Sequence, residues 1–150
     1  MRFRSLAAVA LCAALTSAVA GCGDDAEVFV ASLAAPSGIT SSATGTATFT
    51  LLEPETVSYT IDVSGITDVT ASHIHDGAAG VSGPVIVGLF GGSFSGDGEL
   101  VSGTFSAGAD IGGGMTFDQL LEKMRAGTVY VNVHTTANPG GEIRGQIVLQ

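Results

Sequence analysis

The sequence predicts an all-β domain, an antiparallel β-sandwich of Greek-key type with about eight strands and one short helix. Three observations predict it. Apolar and polar residues alternate with period two in several short runs. Turn residues recur at short intervals between those runs. Glycine supplies 22 of 150 residues without the three-residue period of a collagen. With 45% apolar and 13% charged residues, the chain can build a core and is no solvated tail.

The first strand is read over Val28–Leu33. In Thr46–Leu51 the residues Ala47, Phe49 and Leu51 share one face and three threonines the other. Val57, Tyr59, Ile61 and Val63 alternate with Ser58, Thr60, Asp62 and Ser64, and Gly65 closes that strand. Glu53-Pro54-Glu55 between these runs suits a tight hairpin. Further strands are read at Val69–His75 and at Val85–Phe90, whose unbroken apolar run suggests cover on both faces. Gly91–Gly98 reads as a turn region, and Leu100–Phe105 as the returning strand. The helix begins at Thr116-Phe117-Asp118-Gln119, a capping-box sequence. Leu120, Leu121 and Met124 give it an apolar stripe, and Gly127 suits its C′ position. Val129–Thr135 and Glu142–Val148 close the chain as a hairpin across Asn138-Pro139-Gly140-Gly141.

The N-terminus reads as an export signal. Arg2 and Arg4 precede an apolar run, Leu6–Leu15, which small residues follow; the run is short for a membrane span. Val19-Ala20-Gly21-Cys22 resembles the lipobox of bacterial lipoproteins, in which Cys22 would become the acylated first residue. The division expected is a signal peptide over 1–21, a short lipidated tether over 22–26 and one domain over 27–150. Cys12 leaves with the signal and Cys22 carries lipid, so no disulfide is expected. The expected location is the membrane of the cell envelope.

Charge excludes several functions. The formal net charge is −9, from five basic and fourteen acidic residues. Nucleic acid, which is held by Lys and Arg on phosphates, is not an expected partner. Electrostatic docking on anionic lipid is excluded on the same ground.

The chemistry-bearing residues fall in two segments. His73-Ile74-His75-Asp76-Gly77 places both histidines on one face of an extended strand. In Tyr130-Val131-Asn132-Val133-His134-Thr135, Tyr130, Asn132 and His134 share a face opposite the valines. His73, His75 and His134 form a candidate three-histidine site for copper or zinc with an open coordination position. Asp76 or Glu142 could add an oxygen ligand or orient an imidazole. The alternative is structural: Asp76, Asn132, Glu142 and Arg144 with the imidazoles as a hydrogen-bonded network holding the strands together.

These segments resemble the CHRD (chordin) domain family. The resemblance rests on His73-Ile74-His75-Asp76-Gly77-Ala78-Ala79-Gly80, Gly83-Pro84-Val85, Gly127–Thr135 and Pro139-Gly140-Gly141-Glu142-Ile143-Arg144-Gly145-Gln146. It covers roughly residues 27–149. It implies an exported β-domain and no particular enzymatic activity. Chordin's cysteine-rich modules, the better candidates for growth-factor contact, have no counterpart in this sequence. The His-x-His strand is also locally similar to copper–zinc superoxide dismutase, but that family needs more histidines than the three present.

Other chemistry finds no motif: no G-x-S-x-G, H-E-x-x-H, P-loop or C-x-x-C occurs. Asp97-Gly98-Glu99 has too few spaced oxygens for a calcium loop and reads as a turn. The expectation is a non-enzymatic structural or binding module, lipid-anchored and facing an unidentified envelope protein or ligand. The alternative is a metal-binding protein on the three histidines, redox-active if the metal is copper.

Overall fold

The computed structural model describes residues 26–52 and 55–150. The expected signal, Cys22 and all of the tether except Ala26 lie outside those residues, as do Glu53 and Pro54 of the expected turn.

The described residues form seven strands, one α-helix and a single 3-10 turn at Gly112–Gly114: β1 (Val28–Ala34), β2 (Thr44–Leu52), β3 (Thr56–Asp76), β4 (Val85–Ser106), α1 (Phe117–Arg125), β5 (Val129–Thr135), β6 (Ile143–Gln146) and β7 (Val148–Leu149). All seven strands belong to one sheet, ordered β2-β1-β6-β5-β3-β4, with β7 on β1. An additional β2–β3 pairing closes five strands into a barrel, leaving β4 and β7 as extra strands. The all-β class with one short helix stands, with 59% of the described residues in strands; the sheet closes on itself where the two-sheet sandwich was expected.

The closure follows from one strand having two successive neighbours. Along one edge, β3 pairs with β2 from Thr56 to Ser64 and with β5 from Val69 to Asp76. Its other edge pairs with β4 over nearly its whole length. The change of neighbour falls at Gly65–Asp68, where Gly65 (φ 68°) and Asp68 (φ 53°) take left-handed backbone and the register with β4 slips. Side chains on β4 brace the corner. Asp97 accepts from the Gly65 N–H at 2.6 Å and the Ser64 hydroxyl at 3.0 Å, while Ser95 Oγ accepts from the Asp68 N–H at 2.8 Å. The sequence expectation of separate strands on either side of Gly65–Asp68 and Gly91–Gly98 is therefore corrected. Both glycine-bearing stretches bend continuous strands of 21 and 22 residues.

Alternation fills the barrel as expected of half-buried strands. Phe29, Ala31, Leu33, Ala47, Phe49, Val57, Ile61, Val131, Val133 and Ile143 are all buried. In Val85–Phe90, Ile86, Val87 and Leu89 are buried but Val85 is 46% exposed, so that run is not covered throughout. Helix α1 packs Phe117, Leu120, Leu121 and Met124 into the core. Its capping box is formed, with the Gln119 N–H donating to Thr116 Oγ1 and the Thr116 N–H to Gln119 Oε1. At its far end Lys123 and Arg125 reach Asp76 and Glu27, tying the helix to the barrel.

Candidate metal centre

Register on β3, β5 and β6 sets the polar residues in rows across the outer face of the barrel. His75 lies opposite Tyr130, which lies opposite Gln146; His73 lies opposite Asn132, which lies opposite Arg144. His134 pairs with Ala71 one step further along. Ile74, Val131 and Val133 point the other way and are fully buried.

This outer face is not open. Two loops, 77–84 and 136–142, cover it, leaving His75 8%, Tyr130 2% and Asn132 4% exposed. The row residues themselves hold the loops down. Gln146 Nε2 donates to the Gly77 carbonyl at 2.9 Å, Arg144 Nη2 to the Val81 carbonyl at 3.0 Å, and the Gly83 N–H to Tyr130 Oη at 3.2 Å. On the second loop, Asn132 Nδ2 donates to the Gly140 carbonyl at 3.0 Å. Gly141 sits at φ 118°, and a Cβ there would collide with Asn132 Oδ1, so the close approach requires glycine. Gly83 is equally constrained, because its Cβ would overlap the Asp76 carbonyl.

Beneath the loops the three imidazoles converge. One ring nitrogen from each of His73, His75 and His134 lies within 4.8 Å of the others. The centroids are 5.0 Å apart for His73–His134, 5.7 Å for His75–His134 and 5.9 Å for His73–His75. Backbone carbonyls assign the tautomers, since a carbonyl can only accept. His75 Nδ1–H donates to the Gly83 carbonyl at 3.0 Å and His134 Nδ1–H to the Pro139 carbonyl at 2.9 Å. Both rings therefore keep an Nε2 lone pair. That of His75 is buried with no partner, and that of His134 accepts from His73 Nδ1 at 3.1 Å. Two nitrogens bound to one ion at about 2.0–2.1 Å in tetrahedral geometry stand about 3.3 Å apart. The His73–His134 pair already has that spacing.

The protonation states suit ligation. Burial pushes the His73 imidazole below its ordinary value, and the charges of His134 and His75 push it the same way. Burial also lowers His75, against the Gly83 hydrogen bond, with His134 and Arg144 adding to the lowering. Neutral imidazole is the form a metal ion binds, and the lowering at His73 and His75 favours it. An N–H donated to a backbone carbonyl is the usual device that orients a ligating histidine. His73 needs only to shift its proton from Nδ1 to Nε2 to offer a third lone pair.

The other candidates read from the sequence lie elsewhere around the site. Asp76 is turned to Lys123 Nζ at 2.8 Å, away from the imidazoles. Glu142 accepts from the Ser41 hydroxyl at 2.7 Å, the Thr135 hydroxyl at 2.7 Å and Asn138 Nδ2 at 3.1 Å. Burial pushes its carboxyl up, but these three hydrogen bonds prevail and hold it below the usual carboxylate range. Arg144 stacks on Tyr130, with Cζ 3.8 Å from the ring centroid. Asp76, Asn132, Glu142 and Arg144 thus act as separate clamps on loops and helix, and neither carboxylate joins the histidine cluster. Tyr130 and Gln146 also hold the site, though residue type alone does not single them out. Tyr130 stacks on His75 at 5.0 Å and 14°, and its place in the alternation beside Asn132 is the available signal.

Fold and site together define a small closed β-module carrying a loop-covered histidine cluster on its outer face. A family model of the CHRD domain matches residues 24–147, most of the chain, and the chain belongs to that family. Comparisons with curated proteins and with solved structures give no match.

Proposed function

We propose that this chain is an exported, lipid-anchored binding module of the cell envelope whose CHRD domain holds one copper or zinc ion on His73, His75 and His134. The observation that carries the proposal is the convergence of three ring nitrogens within 4.8 Å, two of them oriented by backbone carbonyls. A buried His75 Nε2 without a partner is costly in a purely structural network, and a metal bond removes that cost. Three imidazoles with no thiolate suit zinc or copper and leave a coordination position for water or another ligand. No redox step is needed for a binding role. The lipid anchor rests on Val19-Ala20-Gly21-Cys22, and only residues 23–27 then separate Cys22 from β1. Five extended residues span at most ~18 Å, which keeps the domain against the membrane surface.

Metal analysis of the purified full-length chain tests the site. One equivalent of zinc or copper should be retained after dialysis, or taken up on titration. Separate His73→Ala, His75→Ala and His134→Ala variants should each weaken uptake at least ~10-fold, since removing even a group that only orients a ligand costs about that much. Uptake that survives all three substitutions would exclude the site. For the anchor, Cys22→Ser should move the protein from the membrane fraction to the soluble one; a wild type already soluble and unacylated would refute lipidation.

A further inference from the structure

We propose that the cleft beside the covered face binds a small organic carboxylate through Arg144. The cleft has a volume of about 730 Å³ and lies between the segment following β1 and the two covering loops. That volume is within the range of small-molecule sites, roughly 300–1,000 Å³. Pro36, Ile39, Ala79 and Pro139 give it apolar walls, and Arg144 is the one charged residue in its lining.

The charge balance singles this arginine out. Among the described residues, Lys123 and Arg125 are each paired with a carboxylate, whereas Arg144 is not, in a chain with fourteen acids. Its guanidinium is nonetheless held in place. Its Cζ lies over the Tyr130 ring and Nη2 donates to the Val81 carbonyl. The remaining N–H groups of the fork have no partner among the described residues. A guanidinium fixed in this way is pre-organised for two parallel N–H···O bonds to a carboxylate. A phosphate dianion is the poorer match, because the cleft brings no second cation and its walls are largely apolar. A monocarboxylate with an aliphatic body satisfies both the fork and the walls.

The inference is independent of the metal, so the test uses full-length chain stripped with EDTA. Isothermal titration with hexanoate should give saturable one-to-one binding at millimolar or lower concentration. Hexanamide, the same body without the charge, should bind at least ~10-fold more weakly, as should hexanoate to Arg144→Lys, which keeps the charge but loses the fork. Ala79→Trp, at an exposed loop position, should block the cleft with Arg144 intact and abolish binding. Absence of saturable heat with the wild type would overturn the proposal. So would equal binding of hexanamide, or binding unchanged in either folded variant.

Discussion

The two halves of β3 follow one alternating pattern and come to different ends. From Thr56 to Ser64 the inward residues Val57, Ile61 and Val63 are buried, while Asp62 and Ser64 outside are exposed to water. From Val69 to Asp76 the inward residues Val69, Ser72 and Ile74 are again buried, but outside His75 is buried as well and His73 is half-buried. In the first half polarity outside serves solvation. In the second it forms a site, because covering loops replace water with fixed carbonyls and neighbouring imidazoles. An outward polar residue on a strand therefore acquires chemistry from what covers it, and the strand pattern alone does not distinguish the cases.

Substitution can sharpen the contrast, and the largest effect should come from the core the halves share. Ile61→Ala removes a fully buried side chain and should cost about 2–5 kcal/mol in a denaturant titration. Because Ile61 lies in the first half, the metal stoichiometry of the protein that remains folded should be unchanged. A loss below about 1 kcal/mol would mean that the barrel interior is not packed around it.

Gly141→Ala should cost somewhat less, about 1–3 kcal/mol, because φ 118° and the contact with Asn132 both oppose a Cβ. This variant also bears on function. It disturbs the loop that carries the Pro139 carbonyl, so metal affinity should fall together with stability. Unchanged affinity would detach the loop from the orientation of His134.

The fold is legible where side chains decide it. The alternation of Val57–Ser64, the Thr116–Gln119 capping box and the shared face of His73 and His75 follow from residue types and spacing. Strand continuity is not legible at Gly65–Asp68 or Gly91–Gly98, because glycine-rich stretches read as turns whether they reverse the chain or merely bend it. The barrel closure is hidden for the same reason: it depends on β3 changing neighbours at Gly65–Asp68. Convergence of His134 on the other two histidines depends on the β3–β5 register, and the clamping roles of Tyr130 and Gln146 depend on loops that approach from 77–84.

A pH titration should separate the halves again. His73 and His75 are lowered in the folded chain, so the unfolded chain binds protons first as pH falls below about 6.5. Their contribution to stability is complete above that value and is lost as pH drops toward their folded values. The melting temperature of metal-free protein should therefore decline from about pH 7 to about pH 5, and a His73→Gln/His75→Gln chain should decline less. An identical slope in the two proteins would show that the histidines do not carry this dependence. The smallest effect is expected in the open half, where Thr60→Ser should change stability by no more than about 0.5 kcal/mol and leave both the pH slope and metal uptake untouched.

The most direct measurement is X-ray absorption spectroscopy of the full-length chain loaded with one equivalent of zinc. Three converged imidazoles predict three nitrogen scatterers at about 2.0–2.1 Å with the multiple-scattering signature of histidine, plus one further oxygen or nitrogen ligand without that signature completing the shell. A shell made of oxygen alone, or one containing a single imidazole, would contradict the site.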